Sequence, residues 1–192
     1  DEKQQYELRQ DIINYFRVNG FPHFKYDIEE QKKEMERLDK FVNDNQMETD
    51  GIIRQTMHGL GLCWSYHPHH WDIKCGTSKT PMQVVLDDKL LDKSIKKRMK
   101  SGSHINEAMM RKTFKVSGGA QTVSNFRPSV ARWIYDKYGG DKVFDPCMGF
   151  GGRLIGAISS PKVKYYEGCD PNTKTFDGLS KMAKNLQDTT KV

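Results

Sequence analysis

Lys142-Val143-Phe144-Asp145-Pro146-Cys147-Met148-Gly149-Phe150-Gly151-Gly152-Arg153-Leu154-Ile155-Gly156-Ala157-Ile158 is the stretch that decides the fold. Four residues read as a short strand ending at Asp145. A tight Gly-rich turn follows, and an apolar helix restarts at Arg153. Downstream, 164–169 predict a second strand ending at Asp170, and 173–186 a helix. Upstream, Phe126, Val130, Ile134 and Tyr138 repeat every four residues, with Pro128 near the start and Gly139-Gly140 after the end. The order is helix, strand, glycine loop, helix, strand, acid, helix, which is a βαβ unit with a helix on either side.

Such a loop has a physical use. Glycines let a ligand approach the backbone, and a helix N-terminus presents N–H groups that lack intrahelical partners. An acid at the tip of the next strand can accept from ribose hydroxyls. Asp170 lies 21 residues after Gly149, close to the spacing such an acid requires. The dinucleotide fingerprint G-x-G-x-x-G/A fails, because its third glycine position is Leu154. No G-x-x-x-x-G-K-[ST] occurs either. A strand–turn–helix of another α/β protein, with Asp170 as a helix cap, would read the same way.

Asp145-Pro146-Cys147-Met148-Gly149-Phe150-Gly151, with Asp170 after it, resembles the first two motifs of class I S-adenosylmethionine-dependent methyltransferases. The closest flavour is the amino-methylating DNA enzymes (N6-adenine/N4-cytosine). Ser124-Asn125-Phe126-Arg127-Pro128-Ser129 resembles the segment that packs around the methionine end of the cofactor in some of them. The match covers about 124–187, one third of the chain. It implies S-adenosylmethionine as cofactor, held by Asp145, Pro146, Gly149, Phe150, Gly151 and Asp170, with Phe126 and Pro128 walling the methionine end. Asp145 would orient the loop and approach the methionine amino group, and Asp170 would hold the ribose. The implied reaction is methyl transfer to a base amine in DNA. RNA or protein methyl transfer stays open, as does a non-catalytic nucleic-acid-binding or assembly protein with a degenerate methyltransferase-like half. Amino-methylating DNA enzymes also carry a [D/N/S]-P-P-[Y/F/W] motif. This sequence has no Pro-Pro pair and stops 22 residues after Asp170, so no catalytic residue is named. The expectation is a fragment of a longer enzyme or a degenerate relative.

The fold class expected is α/β: an incomplete Rossmann-like domain over 120–192, preceded by a mainly helical accessory region over 1–116. Helices are predicted over 4–18, 27–43 (capped by Asp27), 47–60 and 89–99. A strand and loop are predicted over 62–75, a strand or extended segment over 81–86, and a flexible linker over 117–120.

The 192 residues carry 36% apolar and 29% charged side chains, so a core forms beneath a large solvated surface. No apolar run approaches the ~20 residues of a membrane span, and no signal peptide is visible. The chain opens Asp1-Glu2-Lys3 without an initiator Met, so it reads as trimmed. Four cysteines without a C-x-x-C pair suit a reducing, cytoplasmic setting. The net charge is +6. Between Lys89 and Lys115 nine basic residues face only Asp92 and Glu107, an excess of seven. That stretch is the candidate contact for nucleic-acid phosphates, DNA foremost. Cys63, His67, His69, His70 and Cys75 are ligand types within 13 residues, but their spacings do not make tight zinc pairs, and no metal is expected. Trp64, Tyr66 and Trp71 read first as core and second as base-stacking residues.

Overall fold

The computed structural model describes residues 2–102 and 104–190, the side chains of 187–190 excepted. It is mixed helix and sheet, predominantly helical. The chain divides into two compact units. One comprises Asp1–His23 and His69–Val123, the other Phe24–Pro68 and Ser124–Val192. The accessory region expected over 1–116 is therefore shared between both units. The reason is packing. Residues 24–68 contribute Met35, Leu38, Leu60, Leu62 and Cys63 to a core that Met148, Leu154, Ile155, Leu179, Met182 and Leu186 complete. Apolar surface is buried wherever a complementary face exists, whatever the distance along the chain.

In the first unit, α1 (Glu2–Asn19), α4 (Pro81–Leu86), α5 (Asp88–Lys100) and α6 (Glu107–Gly118) surround an aromatic core. Phe114 lies edge-on to Phe16 at 5.5 Å, and Phe21 lies 5.2 Å from Trp71. Trp71 is buried, so it supplies core and not a base-stacking platform. The strand predicted over 81–86 is helical. Thr80 and Gln83 form a capping box and Pro81 occupies the first turn, which outweighs the β-propensity of Val84 and Val85. The predicted linker is the end of α6, which runs to Gly118 and closes on left-handed Gly119.

In the second unit, α2 (Ile28–Asp44) starts at Asp27 in a capping box with Glu30, as expected. The helix predicted over 47–60 is instead a hairpin, β1 (Glu48–Thr49) against β2 (Ile52–Ile53). Its turn is Asp50-Gly51, both with positive φ, the backbone that a two-residue hairpin requires. The segment predicted as strand and loop over 62–75 forms α3 (Leu60–Tyr66) and a 3-10 turn at Pro68–Asp72. Burial of Leu60, Leu62 and Cys63 decides in favour of the helix.

The βαβ unit forms where expected. After α7 (Pro128–Tyr138) come β3 (Lys142–Asp145), α8 (Gly152–Ser159), β4 (Tyr165–Gly168) and α9 (Thr173–Thr190). β3 and β4 are parallel, with Asp145 opposite Gly168. Lys142, Phe144, Tyr165 and Glu167 make the exposed face of this pair, while Asp145 is buried and Val143, Tyr166 and Gly168 half-buried. α7 is tied to α2 by Arg132, which is 4% exposed. Its guanidinium donates to Asp39 and Asn43 at 2.6 Å each and to Asp136 at 3.3 Å. An Arg132→Ala substitution is expected to cost about 2 kcal/mol, because Asp39 stays partly solvated, and urea unfolding checks it.

Candidate functional site

β3 and β4 end side by side, and backbone bonds carry their pairing into the turn. Cys169 N–H donates to Asp145 O and Met148 N–H to Cys169 O, each at 3.0 Å. Gly149 and Gly151 both have positive φ, and Gly151 opens α8 with no side-chain cap. The structure thus brings together Asp145, Gly149, Gly151 and Asp170 at the tips of two parallel strands, where helix N–H groups and two acids converge.

The two carboxylates differ. A carboxylate has about four acceptor positions. At Asp145 all are taken. Oδ1 accepts from Cys147 N–H and Arg153 Nη2 at 3.1 Å each, and Oδ2 from Arg153 Nε and the Tyr166 hydroxyl at 2.7 Å each. Burial raises the Asp145 pKa, but the Arg153, Tyr166 and Cys147 hydrogen bonds outweigh it, and the carboxyl titrates below the usual range. The same contacts raise the Arg153 pKa, by the Asp145 hydrogen bond above all. Burial and then the Asp145 bond push the Tyr166 phenol far up. Tyr135 nearby rises to about 12, by burial and then by the Asp145 charge. Asp145 therefore orients the turn. Its contact with a ligand ammonium, expected from the sequence, would require displacing one of these donors.

Asp170 keeps spare capacity. Its Oδ2 accepts from Gly149 N–H at 2.9 Å and its Oδ1 from Asn172 N–H at 3.0 Å, so each oxygen retains an acceptor position on a half-exposed side chain. The helix cap is the next polar residue along: Asn172 Oδ1 accepts from Thr175 N–H at 3.2 Å. Two residues on either side of Pro171 thus divide the capping and acceptor roles.

The remaining candidates are spread around this pair. Pro146 is exposed beside the turn. Phe126 passes directly against α8: a Cβ built on Gly152 would meet the Phe126 carbonyl oxygen at 2.0 Å. Arg153 lies 5.5 Å above the Phe126 ring. Pro128 is buried as the first residue of α7, against the Gly59 backbone, so its role is packing and not an open wall. Phe150 turns its ring toward the buried His67, edge-on at 5.6 Å. The two His67 nitrogens lie 2.7 Å from Cys63 O and 3.1 Å from Thr175 O, which ties α3 to the first turn of α9. Among the described residues no group of three His, Cys, Asp or Glu side chains is placed to hold a metal ion. Burial pushes the Cys63 thiol up to about 12, against the pull of the Asn125 amide beside it. An inert buried thiol suits a core position.

Sequence reasoning missed Arg153 and Tyr166, and it read His67 as a metal-ligand type and not as the tie between α3 and α9. Arg153 left a signal, since a cation in a helix's first turn opposes the helix dipole and implies a nearby acid. A groove of about 250 Å³ also runs beside β4, lined by Met148, Tyr165, Phe176 and Leu179 among others. None of Asp145, Gly149, Gly151 and Asp170 lines it. Among the described residues no helix is long and apolar enough to cross a membrane. No family model matches the chain, and comparisons with curated proteins and with solved structures give no match.

Proposed function

We propose that the β3–α8 turn binds S-adenosylmethionine and that the chain serves methyl transfer to a base amine in DNA. The observation that carries this reading is Asp170, a half-exposed carboxylate with free acceptor positions, bonded to the N–H of Gly149 across two parallel strand tips. The residues fit the parts of that cofactor that need them. Asp170 suits a pair of ribose hydroxyls, and the uncapped start of α8 suits a carboxylate. When bound, the cofactor supplies a sulfonium methyl to an attacking amine. The chain's share is positioning: Gly149 and Gly151 admit the ligand to the backbone, Asp145 and Arg153 hold the turn's shape, and Asp170 fixes the ribose.

Isothermal calorimetry tests the site. Asp170→Ala is expected to abolish the S-adenosylmethionine heat. Asp170→Asn, which keeps an acceptor oxygen, is expected to weaken binding about tenfold. Unchanged affinity in Asp170→Ala overturns the assignment. Absence of binding by the wild-type chain favours the non-catalytic nucleic-acid-binding reading.

A further inference from the structure

Between α5 and α6 lies a cleft of about 190 Å³ lined by Lys97, Arg98, Ser101, Lys112, Thr113 and Ser117. Three cations and three hydroxyls meet there, and among the described residues no acidic side chain lines the cleft. The Ser101 and Thr113 hydroxyls donate to the Arg98 and Met109 carbonyls at 2.7 and 2.8 Å. The acids of this stretch are engaged elsewhere. Asp92 pairs with Arg9 and Lys96, each at 2.8 Å. Glu107 accepts from the Tyr15 hydroxyl at 3.0 Å and faces Arg111 at 4.0 Å.

The cleft is also prepared. Arg98 is fixed by donating from Nε and Nη2 to the His104 carbonyl at 3.1 and 3.0 Å, which leaves its other N–H groups available. Lys97 and Lys112 are exposed and form no ion pair among the described residues. Ser117 is 6% exposed, and its buried Oγ has no hydrogen-bond partner among the described residues. A buried hydroxyl without a partner is costly, and an anion with acceptor oxygens relieves that cost.

We infer that this cleft holds a backbone phosphate of a nucleic acid. Charge placement favours a polyanion over an isolated phosphate: Lys93, Lys97 and Lys100, at helical spacings of four and seven, extend the positive stripe along α5 beyond the cleft. The inference rests on the reading that the chain meets a nucleic acid, and it assigns the site of contact.

Fluorescence anisotropy on the full chain tests it, with labelled DNA and RNA strands of one sequence, each single-stranded and duplex, over a salt series. The Lys97→Gln/Lys112→Gln variant is compared with a charge-matched control, Lys33→Gln/Lys40→Gln on α2. Removing two phosphate contacts is expected to weaken binding at least tenfold near 0.15 M salt. It should flatten the log–log salt slope by about 1.8 on duplex DNA and about 1.4 on a single strand. The control is expected to change affinity less than twofold. Ser117→Ala is expected to weaken binding several-fold with the salt slope unchanged, since no charge is removed. Equal losses in the cleft and control variants, with the wild type binding, overturn the cleft and leave the nucleic-acid reading standing. If the wild type binds none of the strands, that reading falls as well. Calorimetric binding of inorganic phosphate by a chain that binds none of the strands marks a small-anion site and likewise overturns the inference. Preference between the DNA and RNA arms identifies the source of the phosphate.

Discussion

A Gly152→Ala chain is expected to lose more than about 3 kcal/mol of stability, enough to lower the urea midpoint sharply or prevent folding. The added methyl carbon would stand 2.0 Å from the Phe126 carbonyl oxygen and 3.0 Å from its carbonyl carbon. Both are backbone atoms, so no rotamer change relieves the contact. Either α8 or the 124–128 segment must move by more than 1 Å, on the order of the gap to an ordinary van der Waals separation. The helix cannot move freely, because Gly156 one turn on is also closely packed: a Cβ there would meet Ala131 Cβ at 2.6 Å and Pro128 O at 2.9 Å. Gly149→Ala is the control. Nothing lies within 4 Å of its Cβ position, so its cost is the left-handed backbone alone, about 1–2 kcal/mol. Equal losses for the two variants would show that Phe126 does not cross the start of α8. The neighbouring glycines of one turn are thus needed for different reasons, conformation at Gly149 and space at Gly152.

Legibility in the sequence followed the range of the interactions that decide each element. α7, β3, α8 and β4 were readable because their boundaries are local. Pro128 starts a helix, Gly139-Gly140 stops one, and the glycine turn can only connect a strand to a helix here. The hairpin at 48–53 was lost because its apolar residues are few and the segment is as long as a short helix. Asp50-Gly51 was the informative pair, and it outweighs that length. Trp64 and Tyr66 suggested a strand by propensity, yet they pack beside a buried helical face. Trp64 lies 5.2 Å from Phe24, and the Tyr66 hydroxyl donates to Gln31 at 2.8 Å. Those partners are about 40 residues distant, so the pattern near Trp64 does not contain them. The packing of 24–68 with 124–192 is nonlocal in the same sense. At the site, the positions of both acids were legible from strand ends and spacing. Their difference was not. Whether a carboxylate is saturated depends on Tyr166, which reaches Asp145 only because β4 lies parallel to β3.

That saturation makes Asp145 the second position where a small change has a large effect. Asp145→Asn is nearly isosteric, so it tests charge and acceptor capacity with packing held. The amide presents an NH₂ where Arg153 or Tyr166 already donates, leaving donor against donor in a buried setting. The expected loss at pH 7 is about 3 kcal/mol, at the lower end for breaking a buried pair because Arg153 keeps 29% side-chain exposure. The pH dependence identifies the cause. The folded carboxyl titrates below its unfolded value of about 3.9, so its contribution is complete above that pH. It is lost as pH falls through the folded value, when the wild-type side chain also becomes neutral. Urea unfolding of wild type and variant should therefore differ fully from pH 6 to 7, and the gap should begin to close as the pH falls below about 4. A constant gap across that range would assign the loss to shape and not to charge. Replacing both partners, Asp145→Asn with Arg153→Met, is expected to recover part of the loss, because no guanidinium then remains without its acceptor. The same experiment bears on function. Asp145 fixes the Cys147 N–H and Arg153 on either side of the turn that exposes Gly149 to Asp170. If the variant folds but the turn relaxes, S-adenosylmethionine binding proposed for the turn should fail, while oligonucleotide binding proposed for the α5–α6 cleft should be unchanged.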